Sequence, residues 1–143
     1  MRLPRSTRAR LSIRQVTLVS FEDPHSARQW ATELLDPKYD IEAPEGYDYP
    51  QVRYHLSIDS GKVRRNASGR LQGSFVDRVH RLNDLSQDNQ IILSPSVAHL
   101  IEDDLGDPKV YGKVFRHKSY SLKGIVKEVE VWEYCPPGVE PRL

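Results

Sequence analysis

The chain has 143 residues, 29% of them charged, with a formal net charge of +1. That length suits one domain around one core, and the near-neutral balance gives no global field directed at nucleic acid or an acidic membrane. One cysteine, Cys135, excludes an internal disulfide and a multi-thiolate metal centre and fits a reducing compartment, while no apolar run reaches the ~18 residues that span a bilayer, so the expectation is a soluble, cytoplasmic protein with no membrane partner.

Residues 1–14 carry Arg2, Arg5, Arg8, Arg10 and Arg14 and no acid. Such an arm is expected to be disordered, although the same composition serves in targeting peptides and in arms that touch phosphates, and an initiation codon inside a longer gene is a further reading. Val16 to Phe21 reads as a buried strand by its β-branched and aromatic content, broken at Glu22-Asp23-Pro24. Ser26 to Leu35 is next, a helix with Ala27, Trp30, Ala31, Leu34 and Leu35 on one face. From Pro37 to Pro50 there is no period, and Tyr39, Tyr47 and Tyr49 in this loop either pack over the domain edge or stack on a base. Val52, Tyr54, Leu56 and Ile58 alternate with polar residues, the period of a half-covered antiparallel strand. Asp59-Ser60-Gly61 is then a tight turn, with a return strand beginning at Lys62-Val63-Arg64 and a polar loop over Asn66 to Arg70.

The stretch Gly73 to Arg81 is the element around which the rest of the chain is arranged. Phe75, Val76, Val79, Leu82 and Leu85 fall at three- and four-residue intervals and form one apolar stripe on a helix, with Gly73 free to let the backbone approach something at its start. Asp77 and Arg81, four residues apart, stack on another side. They are either an exposed ion pair, worth about 0.3–0.5 kcal/mol, or two members of a ligand site. Ile91-Ile92-Leu93 is a buried strand, after which Ser94 caps a helix from Pro95 to Ile101 with Val97, Leu100 and Ile101 facing in. Gly106-Asp107-Pro108 ends it. Tyr111 to Tyr120 and Lys127 to Tyr134 are the arms of a terminal hairpin joined through Leu122-Lys123-Gly124, and residues 136–143 form a loose tail. The five histidines show no ligand spacing, so no metal site is expected from this chain, and no Gly-rich phosphate loop or nucleophile elbow occurs.

Taken together, the strand ending near Ile58, the helix with Gly73-x-x-x-Asp77-x-x-x-Arg81-Leu82, the strand Ile91-Ile92-Leu93-Ser94, the turn Leu122-Lys123-Gly124 and the closing strand Val131-Trp132-Glu133 stand in a set order. That order, over about Val16 to Tyr134, resembles a class III nucleotidyl cyclase domain whose first strand is missing. The resemblance implies an α+β fold with a ferredoxin-like, antiparallel-rich sheet and helices on one face, occupying residues 15–135. It also implies an exposed sheet edge, hence dimerisation or marginal stability.

In that family two domains pair, and the active sites at their seam combine two metal-holding Asp residues with an Asn, an Arg and a Lys that orient the ribose and neutralise the phosphates. By the same resemblance, Arg81 matches the transition-state Arg, Lys123 the phosphate Lys and Gly73 the glycine leading the helix. Asp77 stands where the family has its Asn, adds a negative charge beside a triphosphate, and is expected to pair with Arg81. Arg70 stands where adenylyl enzymes carry a base-reading Asp, and a donor-only group does not replace an acceptor. Gln15 falls at one metal position, a poor ligand for a hard dication, and the strand bearing the other Asp has no counterpart. The expectation is a cyclase-like domain, non-catalytic alone, serving as a pairing or regulatory module. It would bind no metal by itself, and Mg or Mn would enter with a nucleoside triphosphate only if a cyclase-type partner, in a homo- or heterodimer, supplied the ligands. The alternatives are half of an active nucleotide cyclase completed by such a partner, and an unrelated small α+β interaction or nucleic-acid-binding domain, although nucleic acid is not the expected partner.

Overall fold

The computed structural model describes residues 16–36, 53–124 and 127–142. The basic arm, Gln15 and the tyrosine-bearing loop over 37–50 lie outside the described residues. Helix α1 (Pro24–Leu34) starts two residues earlier than expected because Asp23 caps it: Oδ1 accepts from the Ser26 backbone N–H at 2.9 Å and Oδ2 from the Ser26 hydroxyl at 2.8 Å. These hydrogen bonds, the backbone one foremost, hold the Asp23 carboxyl below its usual range.

After α1 come β1 (His55–Ile58), the short strands β2 (Arg64–Arg65) and β3 (Leu71–Gln72), α2 (Ser74–Asn83) and β4 (Gln90–Leu93). The chain continues through α3 (Pro95–Asp104), the short α4 (Pro108–Tyr111), β5 (Lys113–Tyr120) and β6 (Val129–Cys135). The main sheet runs β1-β4-β6-β5, with β1 and β4 parallel and the other two pairings antiparallel. The expected α+β class with an antiparallel-rich sheet is what is found, and the terminal hairpin forms as β5 and β6. Strand β1, expected in an antiparallel setting, is instead half of the single parallel pair, and α2 supplies the crossover that a parallel pair requires.

The helices divide between the faces of the sheet rather than gathering on one. Leu56, Ile58, Ile91, Leu93, Val114, Trp132 and Tyr134 pack with Ala31 of α1 and Val97, Ala98 and Ile101 of α3. Ile92 and Val131 point the other way, into a second cluster with Leu82 of α2 and Leu122. The side-chain alternation of β4 explains the split: a fully buried run Ile91-Ile92-Leu93 needs cover on both faces. Burying one such side chain is worth roughly 1.5–3 kcal/mol.

Several local expectations give way. Val16 to Phe21 is exposed along its length and joins no ladder. Its composition suits a strand, but strand propensity without a neighbouring strand leaves the backbone groups to water. Trp30 stays 39% exposed, packing against Phe21 at a ring separation of 5.7 Å instead of entering the core. In α3 the buried set is Val97, Ala98 and Ile101, which leaves Leu100 off that arc and 50% exposed. The segment after Gly61 does not return along β1; β2 pairs with β3. Gly106-Asp107-Pro108 ends α3 but also starts α4, where Asp107 Oδ1 accepts from the Lys109 N–H, and β5 accordingly begins at Lys113.

Candidate functional site

The best-defined junction in the molecule lies where β1 ends and α2 begins. Gly73 adopts an extended backbone at the N-terminus of α2, and a Cβ there would lie 2.5 Å from the Lys62 carbonyl oxygen. The glycine therefore serves a close backbone approach, with Lys62 as the approaching group. Beside it the Phe75 ring lies flat against Gly61, in space that a side chain on Gly61 would fill. This contact carries the chain away from the sheet after Asp59, so no return strand pairs with β1.

The same junction is pinned by an ion pair. Arg78 Nε donates to Asp59 Oδ2 at 2.6 Å and Nη2 donates to Asp59 Oδ1 at 2.8 Å, a two-point grip. Oδ1 also accepts from the Ser60 N–H at 2.8 Å. The Asp59 side chain is wholly buried while Arg78 is 37% exposed. The hydrogen bond to Asp59 raises the Arg78 pKa above its ordinary value. By sequence Asp59 is only a turn residue and Arg78 has no role. A pair nineteen positions apart, between a strand end and a helix, leaves no periodic signal.

Arg81, one turn beyond, is 41% exposed, and its Nη1 lies 3.8 Å from Asp84 Oδ2. The expected pairing with Asp77 is absent among the described residues; Asp77 is exposed and Arg81 turns instead to the carboxylate beyond the helix end. Leu82 is fully buried in a cluster that also holds Leu122, and Lys123 follows Leu122 in an exposed turn. Arg81 and Lys123 are thus the chain neighbours of two members of one apolar cluster, Leu82 and Leu122. Arg70 stands apart from them, in the β2–β3 loop, where its backbone N–H donates to Asn66 Oδ1 at 2.9 Å and its carbonyl accepts from the Asn66 N–H. Gly73, Asp77 and Arg81 share α2 and its start, whereas Arg70 and Lys123 are contributed by separate loops.

A search of known structures finds a similar fold in a crystallised adenylate/guanylate cyclase/hydrolase from Silicibacter pomeroyi, with a TM-score of 0.61 and 19% identity over 81% of this chain. The fold is cyclase-like. The chain spans 63% of the length of that structure. The adenylyl cyclase CyaB from P. aeruginosa also aligns, at 19% identity and a TM-score of 0.46, over 81% of this chain and 50% of its own. No protein-family model matches the sequence, and no curated protein matches it.

The described residues offer no cluster suited to a divalent cation. No group of three or more His, Cys, Asp or Glu side chains among them is placed to hold a metal ion. The buried carboxylate nearest α2, that of Asp59, is fully engaged by Arg78 and Ser60. Three histidines each meet a single carboxylate: His25 with Asp104, His55 with Asp88 and His117 with Glu133. Hydrogen bonds from His55 first, then Arg53, hold the Asp88 carboxyl below its usual range.

One buried polar group has no counterpart among the sequence expectations. Glu133 is 1% exposed in the middle of β6, and a β-bulge between Arg116 and Ser119 brings His117 Nε2 to 3.2 Å from its Oε1. The segment after β6, expected to be loose, supplies the second partner: the Arg142 N–H donates to the same oxygen at 3.0 Å. Burial foremost, with the Glu133 charge beside it, pushes the Cys135 thiol up to about 12. On a half-covered strand Glu133 would face water; a charge buried with its partners inside a seven-residue strand gives no warning in composition.

Proposed function

We propose that this chain is a class III nucleotidyl cyclase-like domain that acts as a pairing or regulatory module and does not catalyse alone. The observation that carries the reading is the cyclase-like fold, in which Arg81 and Lys123 adjoin in sequence the clustered Leu82 and Leu122, with no group of three or more His, Cys, Asp or Glu placed for a metal among the described residues. Phosphoryl transfer rests on cations arrayed around the phosphates. Two exposed side-chain cations can bind or orient a polyphosphate. They do not replace the two dications that stabilise the displaced pyrophosphate. A partner of the same fold would meet this chain across its α2 side, with Asp77 setting a negative charge beside any nucleotide held there. The test is an assay of purified chain with ATP, GTP, CTP and UTP in manganese. No cyclic nucleotide is expected, and its formation by the chain alone overturns the reading.

The second reading, half of an active cyclase completed by a metal-bearing partner, is favoured by one observation: Arg81 is open to solvent and held only by a 3.8 Å contact to Asp84. In this reading Arg81 neutralises charge developing on the phosphorus and Lys123 takes the terminal phosphates, both across the seam. Co-expression with a cyclase-type partner, followed by Arg81→Ala, tests it. Loss of activity is expected, and activity unchanged in the variant removes the idea.

A further inference from the structure

The segment after β6 is fastened at one residue. Pro137 to Glu140 are exposed, and the Val139 N–H closes a turn onto the Pro136 carbonyl. Arg142, by contrast, is gripped at both its main chain and its side chain. Its N–H donates to Glu133 Oε1 at 3.0 Å, its carbonyl accepts from Gln87 Nε2 at 3.4 Å, and its Nη1 donates to the Asp88 carbonyl at 2.6 Å. A segment whose N–H is met by β6 and whose C=O and guanidinium are met by the α2–β4 connection is being recognised as a peptide, with an arginine at the reading position.

The seat is built independently of the segment that fills it. Glu133 has a side chain only 2% exposed, and lifting Arg142 away removes a main-chain N–H from its Oε1, leaving His117 beside that oxygen. A buried carboxylate left short of donors costs enough to favour any replacement N–H. Next to it Gln90, 1% exposed, gives its Oε1 to the Gln87 N–H at 2.7 Å, while its Nε2 is buried with no hydrogen-bond partner. The strand register sets Ile92 opposite Glu133, so Gln90 comes up two positions away on the same face of the sheet. That orphaned donor is an empty contact for the carbonyl of an occupant reaching deeper than Arg142.

We propose that Gln87, Asp88 and Glu133 form a binding seat for an extended, arginine-bearing peptide segment, and that Arg142 occupies it in cis as an exchangeable resident. A segment tethered this closely competes at an effective concentration on the order of millimolar, which masks the seat against ligands in trans. A partner peptide with arginine at the matching position displaces it.

The probe is a fluorescein-labelled peptide of sequence Val-Glu-Pro-Arg-Leu, added to the full chain and read by anisotropy. Arg142→Glu turns a carboxylate toward the Asp88 carbonyl, where the guanidinium donated, and vacates the seat, so the peptide should bind that variant about tenfold or more tightly than it binds the wild type. Adding Glu133→Gln to the vacated chain should weaken binding again by about fivefold, because a neutral amide oxygen replaces a charged acceptor. A peptide with Glu in place of Arg should bind neither. Equal binding to the wild type and the vacated chain, or none to either, overturns the proposal. Should Arg142→Glu fail to fold by circular dichroism, Arg142→Ala takes its place in the same comparison. Amide exchange supplies a second readout on the unaltered chain: the Arg142 N–H exchanges slowly and must become fast under excess unlabelled peptide, and slow exchange that persists refutes displacement.

Discussion

Replacing Arg78 by Met should cost more stability than replacing Asp59 by Ala. In the first variant the Asp59 carboxylate, with no exposed side-chain surface, loses both guanidinium contacts and keeps only the Ser60 N–H. Removing one partner of a buried pair typically costs about 3–5 kcal/mol, and the lower end applies because water can enter from the exposed side of Arg78. In the second variant the orphaned group is Arg78, already 37% exposed, which can swing outward and hydrate; about 1–2 kcal/mol is expected. The double variant Asp59→Leu/Arg78→Met, with no buried charge, should be more stable than Arg78→Met alone. Because the pair raises the Arg78 pKa, its contribution is complete below the ordinary arginine value and would be lost only as pH climbs through the raised one. Urea unfolding followed by circular dichroism at neutral pH measures all three. A cost under about 1 kcal/mol for Arg78→Met, or a larger one for Asp59→Ala, refutes the assignment of Asp59 as the buried, dependent partner.

Gly73→Ala should destabilise the fold by about 1–3 kcal/mol, since its Cβ would meet the Lys62 carbonyl rather than a flexible side chain, and a neutral result in a thermal melt would show that the Lys62 loop gives way freely. Cys135 should resist iodoacetamide in the folded chain: a rise from 9.0 to about 12 lowers the thiolate fraction at pH 8 about a thousandfold, and labelling in urea should be correspondingly fast. The unfolded thiol ionises first, so this group's contribution to stability is complete below pH 9.0 and falls as pH rises from there to about 12; stability that increases over that window would reverse the sign. Strand β1 stands at one end of the sheet order, so sedimentation is expected to find a dimer, or else melting a marginal monomer. A monomer that unfolds cooperatively only at high temperature contradicts both.

What could be read in the sequence was whatever repeats with a period. The stripe of Val79 and Leu82, the buried run at Ile91 to Leu93, the Ser94 cap and the β5–β6 hairpin each come from spacing or from a capping residue, and each is present. What could not be read depends on distant parts of the chain. Val16 to Phe21 has the composition of a strand, but composition does not supply the neighbouring edge. Arg78 and Asp59 sit in an unremarkable polar pattern until the Phe75–Gly61 contact folds β1's end onto α2. Glu133 lies among Trp132 and Tyr134, where a charge in an apolar strand signals a solvated face more often than a buried acceptor. A β-bulge between Arg116 and Ser119 decides otherwise, by turning His117 inward.

The charges on α2 also bear on the role proposed for this domain. On the sequence alone, Asp77 is one obstacle beside the missing metal ligands, a carboxylate four residues from Arg81 that would occupy the guanidinium meant for phosphate. The structure leaves those two unpaired and gives Arg81 a longer contact with Asp84, whose side chain is 71% exposed. A surface pair of that kind is worth between zero and about 1 kcal/mol and would yield readily to a polyphosphate. The guanidinium that is truly committed belongs to Arg78, held from two sides by a buried carboxylate that fixes α2 against the end of β1. Arg81 is therefore available and rigidly mounted one turn further along. Under the proposed pairing role, what a partner would have to bring is the acidic side of such a site, since no group of three or more His, Cys, Asp or Glu among the described residues is placed to hold a metal ion.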